Sequence, residues 1–161
     1  MNSKSIIEQA TDFVCKFEGF SSTPYICPGG YKTIGYGEKM EANDTRAFIA
    51  ETLAREFVVK RCKEIWKKLK RAVPPLSDNQ YVALISFIYN LGWTNFMTST
   101  LRKEILNWYN PATINVYIEN REELTKKEIT EQWMRWVYAK GKVLKGLETR
   151  RAKEALLFFT P

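Results

Sequence analysis

The sequence predicts an α+β fold, mainly α, arranged in two lobes. Three observations lead there. Apolar residues recur at helical spacing through most of the chain. Two short β-prone runs, punctuated by proline and glycine, stand near the N-terminus, and Pro74-Pro75 divides that segment from an all-helical remainder. At 161 residues the length fits about one domain with room for a real core. An apolar fraction of 45%, with 5 Trp, 8 Tyr and 9 Phe, excludes a disordered polypeptide.

The first helix is expected over 5–18: Ser5 and Glu8 form a capping-box pattern, and Ile6, Ala10, Phe13, Val14 and Phe17 recur at helical spacing. Gly19 supplies the stop, because glycine tolerates the left-handed cap. Glu18 therefore ends a helix, where the negative end of the dipole disfavours a carboxylate. Next, Pro24, Pro28 and Gly29-Gly30 punctuate runs at 25–27 and 31–36, a hairpin with a Pro-Gly-Gly turn. Gly35 and Gly37 flank Tyr36 and mark a tight bend or a close backbone approach.

Helical periodicity resumes at 44 and runs to about 71, with Ile49, Leu53, Phe57, Cys62, Ile65, Trp66 and Leu69 on its apolar stripe. The pattern leaves open one long helix or two with a break near 54–60. Pro74-Pro75 stops it. Leu76-Ser77 opens a helix to about 91 whose residues Val82, Leu84, Ile85, Phe87, Ile88 and Leu91 imply burial on most sides. Helices follow at about 99–108, 113–122 and 126–138, the last capped by Thr125 with Glu128 and stapled by Leu124 against Ile129. A final helix spans about 148–159. The expected organisation is a single domain, 1–161. A hairpin lobe occupies about 19–59, a connecting helix 60–73, and a helical lobe 76–161 with helix 5–18 packed on it.

The chain contains no histidine, which removes Ser-His-Asp and Cys-His hydrolysis, His-ligated zinc and imidazole acid–base chemistry. Cys15, Cys27 and Cys62 form no C-x-x-C pair, and three reduced thiols fit a protein made in a reducing cytosol. Any general acid or base is then Asp, Glu, Cys, Lys or Tyr. No cofactor and no metal site is indicated. No segment approaches the ~20 apolar residues of a membrane span, and Glu8 interrupts any signal-peptide core. The expectation is a soluble chain without an export signal.

One constellation carries chemistry: Glu18 at a helix end, Cys27 after eight intervening residues, and Thr33 after five more. By spacing alone it reads more readily as a capped helix, a core cysteine and a strand threonine. The segment nevertheless resembles the phage-type lysozymes (muramidases of glycoside hydrolase family 24), whose pattern is Glu-x8-Asp/Cys-x5-Thr ending in Thr-Ile-Gly-Tyr-Gly, here 33–37. Two further blocks are similar: Leu76-Ser-Asp-Asn-Gln80 through Asn90-Leu-Gly92, with Phe96 and Ser99-Thr100-Leu101, and Trp136 through Gly141, Gly146, Arg150-Arg151 and Glu154. Together they cover most of the chain in order.

The resemblance implies a two-lobed lysozyme-like fold and an endolysin that hydrolyses the β-1,4 bond between N-acetylmuramic acid and N-acetylglucosamine of peptidoglycan. Glu18 would be the general acid, and Cys27 and Thr33 would position or activate the water. An inverting course is favoured over a thioglycosyl intermediate, since retaining enzymes need closer spacing. Two positions depart from the common pattern. Cys27 stands where Asp is frequent, and an ordinary thiol is only a few per cent thiolate at pH 7, a poorer base unless positive charge such as Lys32 favours the anion. Glu38 stands where the family commonly has His, a structural salt-bridge partner. Cys15 and Cys62, on apolar helix faces, are expected in the core.

With 25 Lys+Arg against 18 Asp+Glu the net charge is +7, concentrated at 60–71 and at Lys140, Lys142, Lys145, Arg150, Arg151 and Lys153. This reads as a solvated face or as attraction to an anionic envelope; no nucleic-acid motif accompanies it. Trp93 and Tyr36 are candidates to stack on sugar in a cleft between the lobes. The expected protein is a monomer made in the host cytoplasm that reaches the wall, from the periplasmic side, after a holin opens the membrane. The rival readings are a non-catalytic peptidoglycan-binding module and a basic nucleic-acid-binding protein.

Overall fold

The computed structural model describes residues 4–27, 29–110, 121–139 and 141–161. They group into two compact units, Met1–Glu64 and Ile65–Pro161. Among the described residues no helix is long and apolar enough to cross a membrane.

The first unit opens with α1, Ile6–Glu18, and its capping box is formed: Ser5 Oγ accepts from the Glu8 N–H at 3.3 Å, and Glu8 Oε2 accepts from the Ser5 N–H at 2.8 Å. Gly19 ends the helix with φ 68°, its N–H bonded to the Cys15 carbonyl. Ala10, Thr11 and Val14 form its buried face. The hairpin is a three-stranded antiparallel sheet in the order β1 (Ser21–Ile26), β2 (Lys32–Gly35) and β3 (Glu38–Lys39). β1 is an edge strand, so Pro24 costs no ladder bond to a second neighbour. The register slips beside it: Ser21 faces Gly35, yet Tyr25 faces Thr33. Gly35 and Gly37, at φ 67° and 80°, turn the chain back into the short third strand, which the apolar pattern alone did not announce.

The next helix, α2, runs unbroken over Glu51–Ala72, starting seven residues later than its periodicity suggests. The reason lies in residues 44–49. Asp44 Oδ1 accepts the Arg46 N–H at 3.1 Å, a local turn that competes with a helical start, and the Ile49 N–H goes to the Ser22 carbonyl at 2.9 Å. Ala54, Val58, Cys62, Ile65 and Leu69 make the buried stripe of α2.

The second unit is helical. Ser77 and Gln80 form the capping box of α3, Asp78–Leu91, whose ten residues from Gln80 to Tyr89 are all buried, as its apolar sequence requires. A short α4, Trp93–Thr98, precedes α5, Thr100–Trp108, whose N-cap Ser99 accepts from the Arg102 N–H at 3.1 Å. The helix expected at 113–122 lies almost wholly outside the described residues. The following helix, α6, spans Arg121–Met134, so Thr125 is not its cap and Leu124 is exposed rather than stapled. Glu122 and Glu123 suit the positive helix start, and Lys126 pairs with Glu122 across one turn at 2.6 Å. Instead of continuing to 138, the chain forms a small hairpin, β4 (Tyr138–Ala139) and β5 (Lys142–Val143), around Gly141 at φ 76°. The last helix, α7, runs over Lys145–Phe158. α3 packs on α7 and α4, and α6 packs on α5 and α7. Their centre is aromatic: the rings of Phe87 and Trp133 meet edge-on at 5.7 Å, and Trp133 meets Phe158 at 5.3 Å.

Candidate active site

Glu18, Cys27 and Thr33 all belong to the first unit. Glu18 is half-buried at the last turn of α1. An ideal Cβ on Gly37 would stand 3.4 Å from Glu18 Oε2, so the backbone of the β2–β3 turn lies directly against the carboxylate. At φ 80° a side chain on Gly37 would be strained, and its Cβ would touch the acid at van der Waals distance. Gly35 makes a comparable approach to α2, since its Cβ would come 2.9 Å from that of Ala54.

Cys27 follows β1 and is half-buried. Its N–H donates to the Tyr31 carbonyl at 2.9 Å and its carbonyl accepts from the Gly30 N–H at 2.8 Å, so both ends of the turn hold it. Thr33 is nearly buried in the middle of β2 and gives its hydroxyl proton to the Tyr25 carbonyl at 3.2 Å. Residues directly opposite in antiparallel strands, and residues two apart along a strand, share a face. By that rule Tyr25, Cys27, Tyr31, Thr33 and Lys39 occupy one face of the sheet, and the Lys39 ammonium 4.2 Å over the Tyr31 ring agrees with it. The opposite face carries Ile34, fully buried. Thr33 therefore sits along β2 between the turn that meets Glu18 and the turn that holds Cys27.

The other two thiols differ from Cys27. Cys62 is fully buried, and burial pushes its thiol up to about 12. Cys15, expected in the core, is only half-buried; burial raises it too, while the Arg55 guanidinium, 3.8 Å from Sγ, opposes this. Arg55 also pairs with Asp12, whose carboxyl is held low by Lys4 at 2.6 Å and by Arg55 itself. Neither candidate aromatic is a free ring. Tyr36 is buried and donates its hydroxyl to Glu51 Oε1 at 2.6 Å, which drives that hydroxyl far above the usual tyrosine range. Trp93 is half-buried with the Lys68 ammonium 5.6 Å over its ring.

Glu38, in the place where His is common, does join a salt bridge. Its Oε1 accepts from Arg46 Nη2 at 2.9 Å, and Arg46 also grips Asp44 through Nε and Nη2 at 3.0 and 2.5 Å. The side-chain hydrogen bond from Arg46 holds the Asp44 carboxyl down at about 2.

The expected basic surface needs one correction. The seven Lys and Arg of 60–71 are all exposed, but Arg150 and Arg151 are buried. Both turn inward to Glu154, itself fully buried. Arg150 Nε lies 3.1 Å from Oε1 and Arg151 Nη1 2.6 Å from Oε2, while the Ser86 hydroxyl and Trp133 Nε1–H donate to the same carboxylate at 2.6 and 3.0 Å. Arg151 also donates to Asn90 Oδ1 at 2.6 Å and lies over the Phe87 ring. A visible signal existed: Glu154 follows Arg150 and Arg151 at helical spacings of four and three.

Comparison with known proteins agrees with this architecture. The phage lysozyme family model matches residues 15–154. An endolysin of Acyrthosiphon pisum secondary endosymbiont phage 1 is 30% identical over 159 residues, 95% of this chain and 97% of that one. An endolysin of Bacillus phage PZA is 33% identical over 95% of this chain, which spans about half (54%) of that longer relative. Among solved structures, the muramidase domain of SpmX from Asticaccaulis excentricus superposes with a TM-score of 0.73 at 26% identity, covering 99% of this chain and 100% of that domain. With the family model running from the last turn of α1 to the buried Glu154, and a relative matched nearly end to end, the chain belongs to the phage lysozyme family, as a lysozyme-type glycosidase.

Proposed function

We propose that this peptidoglycan-hydrolysing endolysin is a muramidase that cleaves the β-1,4 bond between N-acetylmuramic acid and N-acetylglucosamine. Glu18 is the general acid: it protonates the leaving oxygen as the bond to the sugar's anomeric carbon breaks. A water held by Thr33 and Cys27 attacks that carbon from the opposite face and gives up its proton to Cys27 or to solvent. Both groups then return to their starting states by exchange with solvent. The observation that carries this reading is the arrangement around β2. A carboxyl stands at the Gly37 turn, a thiol at the Tyr31 turn, and a hydroxyl between them. The favoured course is inversion, in which a water enters between acid and thiol, whereas retention would need the two groups closer.

The exposed basic face of α2 faces the anionic envelope in this reading. Lys60, Lys63, Lys67 and Arg71 repeat at three- and four-residue intervals, and among the described residues none of the four makes an ion pair. The protein acts as a monomer, needs no cofactor or metal, and is made in the host cytoplasm, so expression alone leaves cells whole until a holin or chloroform opens the membrane.

Mass spectrometry of products from purified sacculi tests the reaction. A reducing muramic acid end is expected. A reducing glucosamine end or an anhydro-sugar overturns the muramidase reading, and sacculus binding without any release of reducing ends makes the chain a wall-binding module instead. Complete alkylation of Cys27 is expected to abolish lysis; full activity after modification removes that thiol from the mechanism.

A further inference from the structure

We infer that Arg46 is a positioning residue for the catalytic acid, acting through Glu38 and the β2–β3 turn. The inference rests on the reading of Glu18 as the acid. The turn touches that acid at Gly37, and the residue directly after Gly37 is the one Arg46 holds. Asp44 aligns the guanidinium before it reaches Glu38: it accepts the Arg46 backbone N–H at 3.1 Å, and it accepts from Nε and Nη2. From α2 the Phe57 ring lies under the same guanidinium, 5.6 Å away. The loop before α2, the first turns of α2 and β3 are therefore pinned at one point, one residue from the glycine that meets the acid.

The pair is poorly made as a stabilising device. Glu38 Oε2 is shielded from solvent without a hydrogen-bond partner, although the Arg46 and Glu38 side chains are 30% and 35% exposed. A part-exposed ion pair of this kind contributes little stability, and the shielded oxygen left without a partner subtracts from that little. What the contact does supply is a fixed distance between the turn and the loop. A displacement on the order of 1 Å in a group that sets reacting geometry can cost about 100-fold in rate. Position, not stability, is what Arg46 contributes.

The experiment compares Arg46→Met and Arg46→Lys with wild type on a soluble glycan oligomer, normalised to folded protein by near-ultraviolet circular dichroism. Lys126→Met, which removes the exposed Glu122 pair in the other unit, is the control. R46M is expected to lower kcat about 10- to 100-fold with KM within twofold and the melting temperature little changed. R46K, which keeps a charge for Glu38, recovers most of kcat, and K126M matches wild type. Wild-type kcat in R46M overturns the inference, as does a loss that follows the folded fraction alone. If R46M does not fold, Glu38→Gln carries the same test, since it leaves the Arg46–Asp44 pair intact. Glu18→Gln separates the two levels. An inactive E18Q beside a fully active R46M sinks only this inference, whereas an active E18Q sinks the acid assignment itself.

Discussion

Glu154 and Glu38 each meet arginine, one in the dry core of its unit and one part-exposed in the other, and they are treated in opposite ways. Around Glu154 every available acceptor is used: two guanidiniums, a serine hydroxyl and an indole N–H converge on one carboxylate in a dry helical core. Around Glu38 one oxygen is gripped and the other is left buried without a partner. A carboxylate with both oxygens answered in this way specifies how α3, α6 and α7 come together. A carboxylate with one oxygen left unanswered, next to the turn that meets the acid, marks a place where geometry is held at some expense of stability. The contrast separates residues that make the fold from residues that set up the reaction, and mutation can break it.

The largest effect is expected at Glu154. Glu154→Gln removes the counter-charge of two buried arginines and turns an amide N–H toward donors, so urea unfolding should report a loss of about 3–5 kcal/mol, with turnover per folded molecule retained. A loss under 1 kcal/mol would show that the network is no more than a local pairing. Glu18→Gln should do the reverse. Release of reducing ends should fall by about 10²- to 10⁴-fold while the unfolding midpoint stays near wild type.

Two smaller effects concern pH. Cys62 is raised to about 12 by burial, so the unfolded thiol ionises first as pH rises. Its contribution is therefore complete below the unfolded value and declines through the alkaline range toward pH 12. Cys62→Ala should cost packing energy at neutral pH yet flatten the alkaline decline, which thermal melts at pH 8 and 10.5 would show. Asp44 lies at about 2, depressed by Arg46, so its contribution is present above the ordinary aspartate value and is lost as pH falls through about 2. Asp44→Asn should lower the melting temperature modestly at pH 7, where the pairing with the part-exposed Arg46 is lost, and should soften the acid limb below pH 4. An unchanged acid limb would mean that other carboxylates govern it.

Where the chain's local chemistry was decisive, it was legible in advance. Both capping boxes, at Ser5 and Ser77, could be read because a hydroxyl and an acid or amide three residues on need no distant partner. The nearly all-apolar run in α3 announced its burial. The flanking glycines of Tyr36 announced a close approach, though not that the neighbours would be Glu18 and Ala54. Where competition was tertiary, the pattern misled. Residues 44–50 carry helical periodicity, but Asp44 closes on Arg46 and Ile49 is drawn to the edge of the sheet. Thr125 and Glu128 form a capping pattern inside a helix that already began at Arg121. Arg150 and Arg151 looked like part of a basic surface because charge carries no label of direction.

The lesson is the same for the site. Residue order alone placed an acid at a helix end, a thiol beyond it and a hydroxyl between thiol and turn, because helix stops and hairpin turns are short-range events. Folding then chose which backbone lies against the acid, which lysine and tyrosine share the face with the thiol, and which arginine holds the turn. Those choices depend on residues eight to forty positions apart meeting in space, and they are made by the burial of Ile34, Ile49 and Ala54 rather than by any local preference.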